Sequence, residues 1–327
     1  MNYAVILNWR NIEDTIHCVE SLLTSNNENL NIILCDNDSQ DDSLKKISDW
    51  LLSVGKVIAG NDRRVVTLKE RDIAACDTMT DRPAIYLLQN DKNYGYAGGN
   101  NRGIRLAMQD PECKYIWMLN NDTEVTNTSY KALYNRMESD AQIGICGSAL
   151  VLDDNRNKLQ GVGGAFNEKL CISSHVLEGI SIERLGEIES DNVDIDYIIG
   201  ASMLIRKEAI EKIGLLSEDY FLYYEEIDFC LRLKKFFKIK FESNSIVYHK
   251  LGSTIKKNKS LLADYLSVKN RLIVAKKFYP QYFGIVWLSL LGVLFNRIKR
   301  AEFIKAMYVI KTMVYDAVII LLKYKSL

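Results

Sequence analysis

Hydrophobic residues in the first 120 positions follow two alternating patterns. Short apolar runs rich in β-branched residues predict buried strands at residues 3–7, 31–35, 84–88 and 115–119. Helical spacing after the first run predicts a helix that buries Ile12, Ile16, Val19, Leu22 and Leu23. After the second run, capping residues at 41–43 precede a helix with Leu44, Ile47 and Leu51. The alternation predicts a parallel α/β sheet, whose ligands lie beyond the carboxyl ends of the strands.

Beyond residue 122 the pattern is mixed, with apolar runs at 143–152, 196–205 and 239–248. Residues 53–83 are polar and aperiodic, and we interpret them as an inserted loop or lid. The chain is therefore predicted to hold one large domain over residues 1–250, in two halves that meet near residue 122. A separate C-terminal region follows over residues 251–327.

The C-terminal region combines basic and apolar segments. A basic amphipathic helix is predicted from Tyr265, Leu266, Lys269, Ile273 and Lys276. The uncharged stretch at 283–295 is shorter than the roughly 20 residues that cross a bilayer, so we expect it not to span one. A further pattern at 306–322 is apolar except for Lys311 and Asp316. Two interpretations stay open: helices that lie in an anionic membrane interface, or a helical hairpin that packs on the rest of the chain or on a second subunit.

Composition and charge narrow the class of protein. The chain has 327 residues, of which 48% are hydrophobic and 3 are proline, and this excludes a disordered or low-complexity protein. The formal charge is zero, so nothing indicates a nucleic-acid partner. Residues 250–327 nevertheless hold 15 Lys or Arg against 3 Asp or Glu. This net charge of plus 12 means that the last quarter meets a different environment from the rest.

Cysteine usage bears on the compartment. The seven cysteines are scattered, odd in number and without a CxxC pair, so they predict neither a disulfide framework nor a zinc knuckle. A cytoplasmic location is expected. The N-terminus lacks the basic segment and cleavage site of a signal peptide, and we expect the chain to begin directly with a strand.

Polar residues follow the first two predicted strands. Asn8 and Trp9 follow the first, and Asp36 and Asn37 end the second. A carboxylate at the end of a second strand is typical of nucleotide sites, where it accepts hydrogen bonds from a base or ribose. The first turn lacks GxGxxG, so the pocket suits a nucleotide better than NAD. Ordinary turn chemistry is the commoner reason for such a sequence, and this alternative stays open.

Two further segments carry candidate ligands. Asn93, Gly95 and Asn101 lie in a glycine-rich segment that opens a helix, where backbone N–H groups can approach an anion, although a plain helix-entry turn explains it equally well. Asn121 and Asp122 follow the strand at 115–119. A carboxylate at such a position suits a hard divalent cation, unless it merely caps the next turn.

A third segment, 220–232, holds three carboxylates among aromatic residues and ends at Arg232. Repulsion and burial are expected to raise the pKa of at least one of Glu225, Glu226 and Asp228 into the range of a useful base. His249 ends the apolar run at 239–248. A lone histidine is more often structural than a ligand.

Together these segments, in this order and spacing, resemble glycosyltransferase family 2, and within it the bacterial rhamnosyltransferase-like branch that builds cell-surface polysaccharides. The resemblance covers residue 3 to about residue 280. It is carried by VILNW at 5–9, CDNDS at 35–39, NYGYAGGNN at 93–101, LNNDT at 119–123, GASML at 200–204, YEEID at 224–228 and YH at 248–249. Each stretch is unspecific alone, whereas seven in register are specific.

The resemblance implies a GT-A fold, a UDP- or dTDP-linked sugar donor, a divalent metal ion (Mn²⁺ or Mg²⁺) and inversion at the anomeric carbon. The half at 1–122 would bind the nucleotide sugar and the half at 123–250 the acceptor. The residues implied in nucleotide binding are Asn8, Asp36, Asn37, Asn93, Gly95, Asn101 and Asn121. The implied metal ligands are Asp122 and His249. The sequence departs from the family at Asn120, where the metal motif usually has its first carboxylate.

By the same resemblance, Glu226 is the catalytic base that deprotonates an acceptor hydroxyl, at a position where the family usually has Asp. A donor and acceptor pocket is implied around Trp9, Gly200, Ala201, Glu225, Asp228 and Arg232. The expected acceptor is a saccharide, lipid-linked, and the expected location is peripheral, at the inner face of the plasma membrane. A homodimer stays open.

Two rival functions remain in view. A catalytically silent module that binds sugar nucleotides or glycans would share the fold, and Asn120 in the metal motif supports it. A nucleotidyltransferase would need a basic phosphate-binding loop near the N-terminus, where Arg10 stands nearly alone.

Overall fold

The computed structural model describes residues 1–25, 30–55, 63–75, 84–250 and 260–324. The first half alternates strands and helices, and the four predicted strands are confirmed. Its elements are β1 (Asn2–Asn8), α1 (Ile12–Thr24), β2 (Leu30–Asp36), α2 (Ser43–Trp50), β3 (Arg64–Lys69), β4 (Ala84–Gln89), α3 (Gly95–Ala107) and β5 (Tyr115–Asn120). Both helices predicted between the first strands are present, and the carboxylate of Asp41 accepts the backbone N–H of Ser43 where α2 begins.

The second half continues the same sheet. Its elements are β6 (Thr123–Val125), α4 (Ser129–Ser139), β7 (Ile143–Leu152), β8 (Leu159–Gly161), β9 (Gly164–Asn167), β10 (Ile172–His175), α5 (Ile182–Leu185), β11 (Ser202–Arg206), α6 (Lys207–Ile213), α7 (Glu225–Leu233) and β12 (Lys238–His249). The predicted runs at 143–152 and 239–248 are therefore strands. The run at 196–205 is a strand only from Ser202 onward, because residues 196–201 form an isolated β-bridge at Tyr197 and a turn instead.

One mixed sheet spans both halves of the chain. In the described residues its ten strands follow the order β3-β4-β2-β1-β5-β11-β7-β12-β6, with β8 paired to β7. The strands from β3 to β5 are parallel, and β11 is antiparallel to both β5 and β7. The predicted α/β class with a mixed sheet is confirmed. Because β1, β2 and β5 are parallel neighbours, their carboxyl ends open onto one edge of the sheet.

The core lies on both faces of this sheet, in two large clusters of buried side chains. Trp117 on β5 is fully buried, and its indole N–H donates to the Ser202 hydroxyl on β11 at 2.9 Å. The Ser148 hydroxyl lies 2.7 Å from that of Ser202 and 2.8 Å from that of Ser245. These bonds satisfy buried polar groups where the parallel and antiparallel parts of the sheet join.

The interpretation of residues 53–83 as a loop or lid is wrong in the part that the structure describes. Residues 64–69 form β3, parallel to β4 at the sheet edge, and a short 3-10 helix follows at Glu70–Ala75. Only Val66 of this strand is buried. An edge strand needs few apolar residues, so its pattern resembles that of a loop. Residues 56–62 and 76–83 lie outside the described residues.

The C-terminal region is helical, as predicted. It contains α8 (Leu261–Phe278), α9 (Phe283–Lys299), α10 (Phe303–Lys311), a π-helical turn (Thr312–Asp316) and α11 (Ala317–Lys323). The expectation that the apolar stretch is too short to span a bilayer needs correction. By length and composition, a helical segment of 20 residues, Pro280–Lys299, is long and apolar enough to cross a membrane. The flanking residues extend the helix beyond the uncharged run.

Helices α9 to α11 expose an unusual number of large apolar side chains. Phe295, Met307 and Leu322 are 66%, 68% and 64% exposed, and ten other large apolar side chains on these three helices are exposed as well. The buried side of these helices packs on α8 and on the domain through Val286, Leu290, Val309 and Ile320. The helices are therefore apolar on two sides, of which the domain covers one.

Helix α3 lies unusually close to the sheet, and Gly103 makes this possible. A Cβ at this position would lie 2.6 Å from Val5 Cγ1 and 2.7 Å from Cys35 Sγ. We expect Gly103→Ala to lower the free energy of unfolding by about 1–3 kcal/mol through overpacking. Urea unfolding measures this, and Gly292→Ala is the matched control because a Cβ there meets nothing within 4 Å. Equal stability of the two variants would contradict the close approach.

Candidate active site

A hydrogen-bonded chain of side chains joins the ends of three strands. The Asn8 amide donates to Asp36 Oδ1 at 2.8 Å, and the Thr15 hydroxyl donates to Asn8 Oδ1 at 2.9 Å. The Asn121 amide donates in turn to Thr15 Oγ1 at 2.9 Å. The structure thus brings together three of the residues implied in nucleotide binding, and adds Thr15 from α1. Ser39 and Gln89 also donate to the Asp36 carboxylate, which holds it in one orientation.

A second group forms the neighbouring wall. The Asn37 amide donates to Asn93 Oδ1 at 3.0 Å and to the Gly95 carbonyl at 3.1 Å. Gly95 has φ of +72°, and a Cβ there would lie 2.2 Å from the Phe221 carbonyl oxygen, so only glycine fits. This contact places the segment before α3 directly against the segment before α7.

The rest of the glycine-rich segment does not form an anion cradle. Helix α3 begins at Gly95, so Gly98 and Gly99 lie inside it, where their small size admits neighbouring side chains. Asn101 is also placed apart from the pocket. Its amide donates to the Leu216 carbonyl and to Glu218, and its oxygen accepts the Leu216 N–H. Asn101 therefore fixes the 214–218 loop through these hydrogen bonds.

Trp9 follows β1 at the same edge and is 48% exposed. The Arg10 guanidinium lies 5.2 Å from the centre of its ring. A large aromatic surface left in solvent beside a polar pocket is a suitable platform for a base or a sugar ring.

Asp122 and His249 meet at the end of β5 and β12. His249 Nε2 lies 3.3 Å from Asp122 Oδ1, and its Nδ1 lies 2.7 Å from Gln160 Oε1. Since an amide oxygen only accepts, Nδ1 carries a proton and Nε2 is turned toward the carboxylate. An oriented imidazole next to a carboxylate, with Gln160 behind it, is a donor set that suits Mn²⁺ or Mg²⁺.

This donor set is incomplete by itself. Among the described residues, no cluster of three or more His, Cys, Asp or Glu side chains could hold a metal ion. Two protein ligands leave positions for phosphate oxygens and water, which is a common arrangement for divalent ions at nucleotide sites. The residues present therefore fit a metal ion that binds together with a nucleotide.

Two adjacent carboxylates begin helix α7. Glu225 is buried and Glu226 partly so, and one oxygen of each is buried without a hydrogen-bond partner. Burial, and then the charge of Glu226, raises the pKa of Glu225 well above its usual range. Burial also raises the pKa of Glu226, to about 7, against backbone N–H groups that favour its charged form. Glu225 therefore holds its proton more strongly than Glu226, so the first negative charge that the pair acquires as pH rises is centred on Glu226.

Tyr96 connects these carboxylates with the rest of the pocket. Its hydroxyl lies 2.8 Å from the Gly200 carbonyl and 2.9 Å from Asn120 Oδ1. Burial raises the Tyr96 pKa well above its usual range, and the carboxyl groups of Glu225, Glu226 and Asp122 raise it further wherever they are ionised. The Tyr96 hydroxyl thus bridges Gly200 and Asn120, and Asn120 is two residues before the predicted metal ligand Asp122. Ala201 is buried beside them, and its carbonyl accepts the Asn120 N–H at 3.0 Å.

The structure does not bring Asp228 and Arg232 to this pocket. Asp228 is fully buried, and its carboxylate pairs with Arg232 at 2.6 Å and with Lys277 at 2.5 Å. Arg232 also donates to the carbonyls of Ile213 and Leu215. Helical rotation turns Asp228 about 200° away from Glu226, because α-helices have 3.6 residues per turn.

Sequence reasoning assigned no role to Thr15, Gln160 and Tyr96. For Tyr96 a signal existed, since it lies inside the NYGYAGGNN stretch. Thr15 and Gln160 are isolated polar residues in segments without any motif, so their roles emerge only from tertiary contacts.

Two curated relatives match parts of the chain. A low-salt glycan biosynthesis hexosyltransferase, Agl10 of Haloferax volcanii, is 30% identical over 152 residues, which is 46% of this chain and 47% of that protein. A dTDP-rhamnosyl transferase, RfbF of Shigella flexneri, is 23% identical over 176 residues, 54% of this chain and 53% of that protein. The matched region thus spans about half the length of each relative.

Among solved structures, GalNAc-T7 with UDP, GalNAc and Mn²⁺ aligns with a TM-score of 0.62 at 15% identity, over 99% of this chain and 58% of that one. This likeness shows the fold, which is the GT-A fold. The sequence model of glycosyl transferase family 2 matches residues 4–214. This match covers more than half of the chain and establishes that the chain belongs to glycosyl transferase family 2.

Proposed function

We propose that this protein is an inverting, metal-dependent glycosyltransferase. It moves a sugar from a nucleoside diphosphate to a hydroxyl of a saccharide acceptor, and Glu226 is the catalytic base. The observation that carries the proposal is the position of Asp122 and His249, 3.3 Å apart, at the strand edge where the Asn8, Asp36, Thr15 and Asn121 side chains are hydrogen-bonded. A carboxylate and an imidazole at this edge, with two carboxylates at the start of α7 that each bury an unpaired oxygen, suit sugar transfer from a nucleotide.

The chemistry of the base follows from its environment. A pKa of about 7 leaves Glu226 largely ionised at slightly alkaline pH yet basic enough to accept a hydroxyl proton. A single displacement at the anomeric carbon inverts its configuration and proceeds without a covalent intermediate on the enzyme. Glu225, still protonated, keeps the local charge low while the base is ionised.

Asp122 and His249 would hold the metal ion, with Gln160 orienting the imidazole. When bound, the ion neutralises charge on the leaving nucleoside diphosphate. On the nucleoside side, Asn8, Asp36, Asn37, Asn93 and Asn121 fix the pocket wall, and Trp9 offers a stacking surface. Asn101 would act from behind that wall, through the 214–218 loop.

We infer a UDP- or dTDP-linked donor and a rhamnosyltransferase-like role in cell-surface polysaccharide synthesis. The dTDP-rhamnosyl transferase relative and the UDP-bound structural neighbour support it. A lipid-linked acceptor fits the exposed apolar face of the C-terminal helices.

The C-terminal helices are proposed to hold the enzyme peripherally at the cytoplasmic face of an anionic membrane. Their apolar face is uncovered in the described residues, and Lys299 and Arg300 are exposed at the end of α9. Each basic residue near an anionic surface contributes about 1 kcal/mol, and the apolar face adds a contribution that salt does not screen. A homodimer that buries this face is the alternative outcome.

Glu226→Gln should reduce turnover at least about 100-fold and leave donor affinity unchanged, because it removes the base and not the nucleotide site. Turnover is measured as nucleoside diphosphate release, with the donor chosen by thermal shift from a panel of UDP-, dTDP- and GDP-sugars. Glu225→Gln is the matched control. It mimics the protonated form already present and should keep most of the activity. Turnover of the Glu226→Gln variant above about a tenth of wild type would instead favour a binding module or another base.

In the wild type, kcat/KM should rise with pH through about 7, as Glu226 ionises. The raised pKa also means that the folded state holds its proton more tightly than the unfolded chain. This contribution to the free energy of unfolding is fully present below the usual glutamate pKa of 4.5 and should be lost as pH rises through about 7. The loss should be smaller in Glu226→Gln, which has no carboxyl group at this position. Urea unfolding of both proteins across this pH range measures the difference, and parallel curves would contradict the raised pKa.

Asp122→Ala and His249→Ala should each weaken nucleoside diphosphate binding in Mn²⁺ and change little in EDTA, since both act through the metal ion. Calorimetry with and without chelator measures this. His17→Ala is the control, because His17 is near the same edge but pairs with Glu124. If His249→Ala binds as the wild type does in Mn²⁺, the histidine is structural.

A triple variant, Phe295→Glu, Met307→Glu and Leu322→Glu, should lose the salt-resistant part of binding to vesicles that contain phosphatidylglycerol. All three side chains are exposed, so the fold is retained. Phe236→Glu, at an exposed phenylalanine of the catalytic domain, is the control. Flotation is compared at low and high salt, and chromatography with light scattering reports the oligomeric state. Absence of wild-type flotation, together with a dimer that the triple variant disrupts, would assign this face to self-association.

A further inference from the structure

The segment before the two glutamates has an unusual backbone. Tyr223 and Tyr224 have φ of +70° and +76°, in the left-handed region that bulky residues avoid. Tyr224 directly precedes Glu225 at the start of α7, and its side chain makes no capping hydrogen bond to the helix. Such a conformation persists only where surrounding contacts fix it.

A single side chain from the C-terminal region makes two of those contacts. The Asn270 amide nitrogen on α8 donates to the carbonyl of Leu222 at 2.9 Å and to that of Tyr223 at 2.8 Å. Asn270 is 1% exposed, so water does not compete for these bonds. Both amide protons are therefore used on consecutive carbonyls of the strained segment.

The other side of the segment is fixed by the pocket wall. The Phe221 carbonyl accepts the Tyr96 N–H at 2.7 Å, and Gly95 packs against the same carbonyl. The segment is held between the nucleotide wall and α8. Residues 221–224 thus have three consecutive carbonyls bound from two sides, which leaves little freedom in the direction that α7 takes.

We propose that Asn270 is a positioning residue for the reaction: through the 221–224 backbone it sets where Glu226 lies relative to the acceptor hydroxyl. This inference rests on the proposed function, and it assigns α8 a role in catalysis beyond connecting the membrane-facing helices. Loss of the two donors lets the left-handed turn relax and shifts the start of α7. Asn270 itself donates to the 221–224 backbone and not to the donor-site residues on β1, β2 and β5.

The test compares Asn270→Leu and Asn270→Ala with Tyr265→Phe in the full-length protein. Both Asn270 variants remove the two N–H donors. Leucine keeps a side-chain volume similar to that of asparagine, and alanine is too small to create a steric conflict. Tyr265→Phe removes a 2.8 Å hydrogen bond from the same helix to Asp316, which lies outside the 221–224 segment. Turnover of the selected nucleotide sugar, nucleoside diphosphate affinity and amide exchange over residues 221–226 are measured for each.

We expect kcat of the Asn270 variants to fall about 10- to 100-fold, because small misplacements of catalytic groups have effects of this size. KM for the donor should stay within about twofold, and exchange over 221–226 should speed up, while Tyr265→Phe resembles wild type in all three. Folded Asn270 variants with wild-type kcat and exchange would overturn the inference. An inactive wild type would overturn the proposed function instead, and amide exchange would still decide whether Asn270 fixes the segment.

Discussion

The buried carboxylate of Asp228 ties helix α7 to the rest of the molecule. It receives Arg232 from its own helix and Lys277 from α8, and it has no exposed surface. Loss of one partner from a buried ion pair typically costs about 3–5 kcal/mol, because the remaining charge is uncompensated. Through Arg232 the same group also fixes the carbonyls of Ile213 and Leu215, so α7, the loop before it and α8 form one body.

This tie fixes a helix that begins with two carboxylates, each with one buried oxygen that has no hydrogen-bond partner among the described residues. The backbone N–H groups at the helix start favour ionised carboxylates, whereas burial disfavours them. Burial prevails for both glutamates, as the raised pKa values show. A surface helix start would leave the pair fully ionised. The neighbouring Tyr96, uncharged and hydrogen-bonded to Gly200, completes the wall without adding charge.

The sequence carries much of this architecture and less of the site. Apolar runs located the central strands because buried parallel strands have no polar alternation to confuse the pattern. Helical rotation separated Asp228 from Glu226, although the two are neighbours in one acidic motif. The roles of Thr15, Gln160 and Asn270 depend on partners that lie 7, 89 and 48 residues away along the chain. No local pattern encodes such contacts, so folding alone reveals them.

The C-terminal helices connect the candidate site to the exposed apolar side chains that are proposed to bind a membrane. Asp264 on α8 pairs with Arg297 on α9, and Arg271 on α8 donates to Ser289 on α9. Helix α8, which holds the 221–224 backbone through Asn270, is therefore joined by side-chain bonds to the helices with exposed apolar side chains. A flexible tether would keep the enzyme near a membrane but leave the height of its pocket undefined. A rigid joint fixes that height. Under the proposed membrane association, an acceptor hydroxyl carried on a lipid headgroup would meet Glu226 at a constant distance from the bilayer, which is the entropic advantage that positioning confers on catalysis.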